Sequence, residues 1–224
     1  WHNHMYGETP TENLYSKFFN QVYELKDQNE ITNTIINLTP YGYYFPEAIS
    51  SNVSDGEILN NLKKPAQLLK DLKIINSNFF NAIDKNYFKG LKVLGVQKRG
   101  TDHGGHGSIL SDESILLKIN EEFKNNSYDK VFLITDDIHS LNFFKKELGE
   151  TLIYTDCTRG GTQTGLHFSN LPNKTKLAAE VLIDSVLLSL TDFKLVTQSN
   201  VSTFSLLCNL KDNFRYLDKH VHYR

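Results

Sequence analysis

Beyond about residue 90 the chain alternates between two hydrophobic periods. Short apolar runs that read as buried strands cover Lys92 to Gln97, Lys130 to Thr135, Thr151 to Tyr154, Phe193 to Thr197 and Phe214 to Leu217. Between them lie helical patterns. Ser111-Asp112-Glu113-Ser114 opens an amphipathic helix to about Asn125, with Ser111 and Ser114 as possible caps. Leu141 to Leu148 is a short helix, Asn173 to Leu190 a long one with Leu177, Val181, Asp184, Ser185 and Leu188 down one side, and Val201 to Leu210 a third. Strands that alternate with helices in this way predict an α/β protein with a parallel, doubly wound sheet.

The chain before Gly90 has a different texture, aromatic and rich in Asn. It predicts a helix around Glu12 to Lys26, a turn segment from Thr39 to Pro46, and a helical pattern from Leu59 to Phe80 with Leu62, Leu68, Leu69, Leu72 and Ile75 on one face. The organisation read from this change is 1–90, a mainly helical, aromatic region that would form part of an acceptor-side domain, and 91–224, the strand-and-helix domain. The aromatic cluster Tyr41-Gly42-Tyr43-Tyr44-Phe45-Pro46 could line a groove, but such clusters more often serve packing.

The polar residues fall at informative places on this alternation. Three strands end in polar clusters: Arg99-Gly100-Thr101-Asp102, Asp136-Asp137, and Ser199-Asn200-Val201-Ser202. In a parallel sheet all three lie on the carboxyl edge, where open α/β sheets bind ligands. The planar fork of Arg99 suits a phosphate, and Gly100, Gly104, Gly105 and Gly107 leave room for a bulky anion. Ser199 to Ser202 open a helix whose N–H groups and hydroxyls would bind phosphate oxygens. Asp136 or Asp137 can accept from a base or a ribose hydroxyl, or serve as a helix cap with Asp137 at the N-cap, and the sequence leaves both readings open.

Composition narrows the partners. With 24 basic against 26 acidic residues, and no Lys/Arg stripe among aromatics, nucleic acid is not an expected partner. No apolar run approaches the length of a membrane span. Cys157 and Cys208 are far apart and read as buried free thiols, which fits a reducing, cytoplasmic compartment. The chain opens on Trp1, so an upstream segment is expected to have been removed. Asn-X-Ser/Thr triplets at Asn37, Asn52, Asn125, Asn173 and Asn200 are read as chance in so Asn-rich a chain.

Three ordered stretches carry a resemblance. Gly95-Val96-Gln97-Lys98-Arg99-Gly100-Thr101-Asp102, Val131 to Asp137, and the run from Leu187 through Asp192, Phe193 and Val196 to Ser202 resemble the motifs of the fucosyltransferase superfamily of α1,6-, nodulation-factor and protein O-fucosyltransferases. Gly165-Leu166-His167 is similar to a further short element of that family. The resemblance covers about residues 90 to 210. It implies the Rossmann-like, nucleotide-sugar-binding half of a GT-B glycosyltransferase, one that transfers fucose from GDP-fucose to a glycan or other hydroxyl acceptor with inversion and without a metal or other cofactor. It further implies that Arg99 contacts the sugar diphosphate, Asp136 and Asp137 the nucleotide, and Ser199, Asn200, Val201 and Ser202 the phosphates, with Gly100, Thr101 and His103 beside them. Gln97 stands where many members have His, Gly100 where some have a second Arg, and the glutamate proposed as base in the α1,6 branch is replaced near Gly105 to Ser108.

Glycosyl transfer needs a stabilised leaving diphosphate and often a base for the acceptor hydroxyl. Arg99 with the Ser199 helix terminus would supply the first; Asp102, His103 and His106 are the candidates for the second. His106 is attractive for its glycine neighbours and its near-neutral pKa. Two alternatives accompany this reading. One is a degenerate nucleotide-binding module without catalysis. The other is a metal hydrolase on Asp102, His103 and His106, although their spacing matches no metal motif.

Overall fold

The computed structural model describes residues 54–71, 75, 77–100, 110–161, 173–197 and 199–218. The expected helix at Glu12 to Lys26, the aromatic turn, Gly165-Leu166-His167 and the loop residues Thr101, Asp102, His103 and His106 lie outside them. Five parallel strands form the sheet: β1 (Val93–Lys98), β2 (Lys130–Thr135), β3 (Leu152–Ile153), β4 (Phe193–Val196) and β5 (Phe214–Tyr216). Helices α1 (Asp55–Asp71) and α2 (Ser77–Ala82) precede β1; α3 (Asp112–Asn125), α4 (Ile138–Leu148), α5 (Lys174–Ser189) and α6 (Asn200–Cys208) alternate with the strands. The spatial order is β3-β2-β1-β4-β5. The chain therefore winds outward from β1 in one direction, returns through α5, and winds outward again from β4. This is the doubly wound, Rossmann-like arrangement that the sequence predicts, and its strand order reverses between β1 and β4.

Both faces of the sheet are covered, which is why the strands read as unbroken apolar runs. Val93, Phe132 and Val196 point to one face, where Ile58 and Leu62 of α1, Leu188 of α5 and Leu206 of α6 close over them. Leu94, Val96, Val131, Leu133 and Leu195 point to the other, against Ile115 and Ile119 of α3 and Leu141 and Phe144 of α4. Residues 54–71 thus contribute to the same core as the strands. Gly95 sits where α5 turns into β4: a Cβ there would lie 2.4 Å from Thr191 Oγ1 and 2.6 Å from Leu188 Cδ1, so the close approach of β1 to this corner requires glycine.

Two helical faces differ from expectation. Ser54 and Glu57 form a capping box, Glu57 Oε2 accepting from Ser54 N at 2.8 Å and Ser54 Oγ from Glu57 N at 3.2 Å. That start sets the phase of α1, whose buried stripe is Ile58, Leu62 and Ala66; Leu68 is 46% exposed, and the helix ends at Asp71 rather than running on to Phe80. In α5, Val181 is also exposed while Val186 and Leu187 are buried, because the C-terminal half of this helix is enclosed by the sheet and α6 rather than by one neighbour.

Lys194 is fully buried on β4, its Nζ donating to Thr191 O at 3.1 Å and to Asn213 Oδ1 at 3.3 Å. Burial first, and the nearby charge of Lys211 second, push its pKa down to about 8, against the opposing pull of Asp192. Between that value and the ordinary lysine value the unfolded chain holds the extra proton, so stability rises as pH climbs from about 8 to about 10.5. Lys194→Met is expected to flatten this rise, by on the order of 3 kcal/mol across the window. Urea unfolding of both proteins at pH 7.5 and pH 10 checks it, and parallel pH dependences would refute the assignment.

Candidate functional site

The carboxyl edge at the strand reversal is built from two segments. Arg99 follows β1 and is half-buried; Ser199 follows β4 and is the N-cap of α6. One residue, Thr197, joins them. Its Oγ1 accepts from Arg99 N at 3.1 Å and donates to Gln97 Oε1 at 2.9 Å, while its carbonyl accepts from Ser202 Oγ at 2.7 Å. Gln97 Oε1 accepts from Thr197 N as well, at 3.1 Å. Gln97, Thr197 and Ser202 are all at most 4% exposed.

The start of α6 is a reciprocal capping box of two serines. Ser199 Oγ accepts from Ser202 N, and Ser202 Oγ accepts from Ser199 N at 3.2 Å. Ser202 also donates to Thr197 O and Ser199 O, so its hydroxyl holds the helix terminus together rather than facing outward. The first-turn residues Asn200 and Val201 are exposed and half-buried. Their amides belong to the first helical turn, which has no intrahelical acceptors, and they carry the positive end of the helix dipole.

The acidic pair after β2 is engaged structurally. Asp137 caps α4, accepting from His139 N at 2.8 Å and from Ser140 Oγ at 3.2 Å. Asp136 Oδ1 accepts from Gly100 N at 2.8 Å. A Cβ on Gly100 would lie 2.7 Å from Asp137 Cβ and 3.2 Å from Asp136 Oδ1, so the loop after β1 can lie against the acidic pair only with glycine there. Beside it, Lys98 turns inward: its Nζ pairs with Asp112 Oδ1 at 2.7 Å and donates to Ser140 Oγ. Of the expected site residues, Arg99, Gly100, Asp136, Asp137, Ser199, Asn200, Val201 and Ser202 thus come to one edge. Thr101, Asp102, His103 and His106 lie outside the described residues.

A neighbouring cluster was not foreseen from the sequence. The segment after β3 runs along the same edge, with Gly160 N donating to Asp136 O and Ile138 N donating to Gly160 O, both at 2.9 Å. It is latched to α5: Thr155 Oγ1 donates to Asp184 Oδ1 at 2.5 Å, and Thr158 N donates to Glu180 Oε2 at 3.0 Å. Arg159 donates to the carbonyls of Cys157 and Thr155. The only sequence signal was an Asp on the packed side of a long helix. Burial, opposed mainly by hydrogen bonds from Thr155 and Cys157, pushes Asp184 up to about 6. The folded state therefore holds a proton that the unfolded chain has lost, and the stability this brings is lost as pH rises from about 4 to about 6. Asp184→Asn is expected to gain relative to the unmodified chain over that window, by on the order of 3 kcal/mol, read by chemical unfolding at pH 4 and pH 7. A constant difference between the two proteins would refute this. Cys157 and Cys208 are free and half-buried, and burial pushes both thiols up to about 12.

Among the described residues no group of three or more His, Cys, Asp and Glu is placed to hold a metal, and no helix is long and apolar enough to cross a membrane.

Fold and edge together define a Rossmann-like α/β protein in which Arg99 and the Ser199-capped start of α6 meet at the strand reversal. Its structure is similar to that of NodZ α-1,6-fucosyltransferase soaked with GDP-fucose (TM-score 0.51, 17% identity, covering 93% of this chain and 80% of that one). It is similar also to the same enzyme co-crystallized with GDP (TM-score 0.50, 17% identity, 93% and 79%) and to fucosyltransferase NodZ from Bradyrhizobium (TM-score 0.51, 17% identity, 93% and 79%). No family model and no curated protein matches the chain. At this identity the likeness is one of fold.

Proposed function

We propose that this chain is a glycosyltransferase of the fucosyltransferase type, transferring fucose from GDP-fucose to a hydroxyl of a glycan or glycoconjugate with inversion and without a metal. The observation that carries the reading is that Arg99, tied through its N–H to Thr197, and the Ser199-capped start of α6 lie together at the reversal between β1 and β4, in a fold similar to that of an enzyme soaked with GDP-fucose and co-crystallized with GDP.

The chemistry follows from that pairing. As the bond from the anomeric carbon to the diphosphate breaks, the carbon becomes cationic and negative charge gathers on the leaving oxygens. Arg99 neutralises that charge with a planar fork of donors, and the first amides of α6 add a fixed positive dipole without reorganisation. Asp136 and Asp137 are assigned to the nucleoside. Asp137 retains lone pairs beyond its capping bonds, so capping and ligand contact are compatible. The acceptor proton is assigned to Asp102 or His106, and Thr101 and His103 are assigned to donor binding.

Calorimetric titration with GDP, UDP and ADP, with and without EDTA, tests the donor reading. Selective GDP binding that survives EDTA is expected, followed by turnover of GDP-fucose. Loss of binding on chelation would favour a metal site on the Asp102, His103 and His106 loop; GDP binding without turnover would make the chain a nucleotide-binding module.

A further inference from the structure

We propose that Thr197 is a positioning residue that locks the two halves of the anion cradle to each other, with Gln97 fixing the direction of its hydroxyl. The inference rests on the donor reading above. Thr197 has one hydroxyl proton, and Gln97 Oε1 takes it at 2.9 Å. An amide oxygen can only accept, so the pairing leaves Thr197 Oγ1 as the acceptor for Arg99 N at 3.1 Å. The backbone of the arginine is thereby tied to the end of β4, one residue past the end of β1. Through its carbonyl the same residue receives Ser202 Oγ, whose own oxygen accepts from Ser199 N, so the orientation of the first turn of α6 is fixed by the same joint.

The bonds therefore run in one unbroken series from Arg99 through Thr197 to Ser202 and Ser199, in an interior where each of the last three is at most 9% exposed. Such a network is stiff only when every member is satisfied, and here each one is. Two cationic elements that must grip one diphosphate gain from being held at a fixed separation before the ligand arrives, since the ligand then need not order them. Gln97 is suited to this work by chemistry: as a neutral amide its oxygen accepts at any pH, whereas an imidazole at that place would change its role with protonation.

The test compares Thr197→Val, Thr197→Ser and the unmodified chain for GDP binding by calorimetry and for guanosine binding by saturation-transfer NMR. Valine keeps the shape but neither accepts from Arg99 N nor donates to Gln97. Expected are a roughly tenfold or greater weakening for GDP in Thr197→Val, near-complete recovery in Thr197→Ser, and guanosine binding unchanged in both, because only the phosphates meet the cradle. A general packing defect would weaken both ligands alike and would overturn the inference, as would a folded Thr197→Val that binds GDP like the unmodified chain. Should the valine variant not fold, Gln97→Met tests the direction of the hydroxyl: Thr197 Oγ1 keeps its lone pairs but loses the acceptor that orients it, so a weakening for GDP with guanosine binding unchanged is expected, and GDP binding like that of the unmodified chain would overturn the inference. Absence of GDP binding in the unmodified chain would sink the donor reading itself, whereas binding that these variants leave intact sinks only the role of Thr197.

Discussion

Arg99→Ala is expected to weaken GDP binding by at least about a hundredfold and to abolish transfer, while the melting temperature stays close to that of the unmodified chain. The expected loss follows from where the side chain starts. It leaves β1 at the strand reversal, half-buried, from a backbone whose N–H is pinned to Thr197, and the amide bond survives truncation of the side chain. Removing a charge-assisted, forked contact from a partly desolvated site costs about 3 kcal/mol, which corresponds to that hundredfold. Arg99→Lys should fall between the two. It restores the charge but not the planar pair of donors, so binding returns in part while transfer, which depends on oxygens at fixed positions, returns less. Calorimetry and donor hydrolysis on the three proteins check the series. Tight GDP binding by the alanine variant would show that the cradle is not where the diphosphate sits.

The gathering of these residues at one edge could be read from the chain because they lie at strand ends, and strand ends are where hydrophobic period and polar composition change together. Val93 to Val96 gives way to Arg99 and Gly100 within four residues, and β4 gives way as abruptly to Ser199. Parallelism follows from the helices between the strands, and with it the carboxyl edge that both positions share. What the sequence could not reveal is how polar residues divide between work on a ligand and work on the fold. From the sequence Ser202 reads as a phosphate contact and Asp137 as either a ligand contact or a cap; in the fold Ser202 spends its hydroxyl on Thr197 and Ser199, and Asp137 caps α4. Lys98, one residue from Arg99 and likewise cationic, turns into the protein, where Asp112 and Ser140 meet it. Asp184 went unassigned for the opposite reason: its partner Thr155 lies 29 positions away, and no local pattern announces a buried carboxylate. The stripe on α1 was misplaced because Ala66, a small residue, carries one of its positions while the larger Leu68 faces solvent.

Lys98 is the subject of the second large effect. Its side chain is 6% exposed, and its ammonium lies 2.7 Å from Asp112 Oδ1, the first residue of α3, with Ser140 Oγ as its other partner. Ser140 in turn donates to Asp137, the cap of α4. The pair therefore pins the starts of two helices to the end of β1. Asp112→Ala leaves a buried ammonium without its counter-charge, and such a loss costs about 3 kcal/mol. For a chain of this size that lowers the melting temperature by roughly 10 °C. Lys98→Met costs less, because the carboxylate that remains is 20% exposed and sits at a helix N-terminus, where the dipole favours it. The double variant Lys98→Met/Asp112→Leu removes both charges and should recover most of the stability lost in Asp112→Ala, since a buried pair replaced by apolar groups of similar volume is nearly neutral. The non-additivity, measured as a double-mutant cycle by thermal or urea unfolding, is the quantity that decides. If Asp112→Ala and Lys98→Met each cost little and simply add, the pair contributes nothing to the fold. If the coupling is large, the pair holds the starts of α3 and α4 to the end of β1, and Lys98 is committed to the fold.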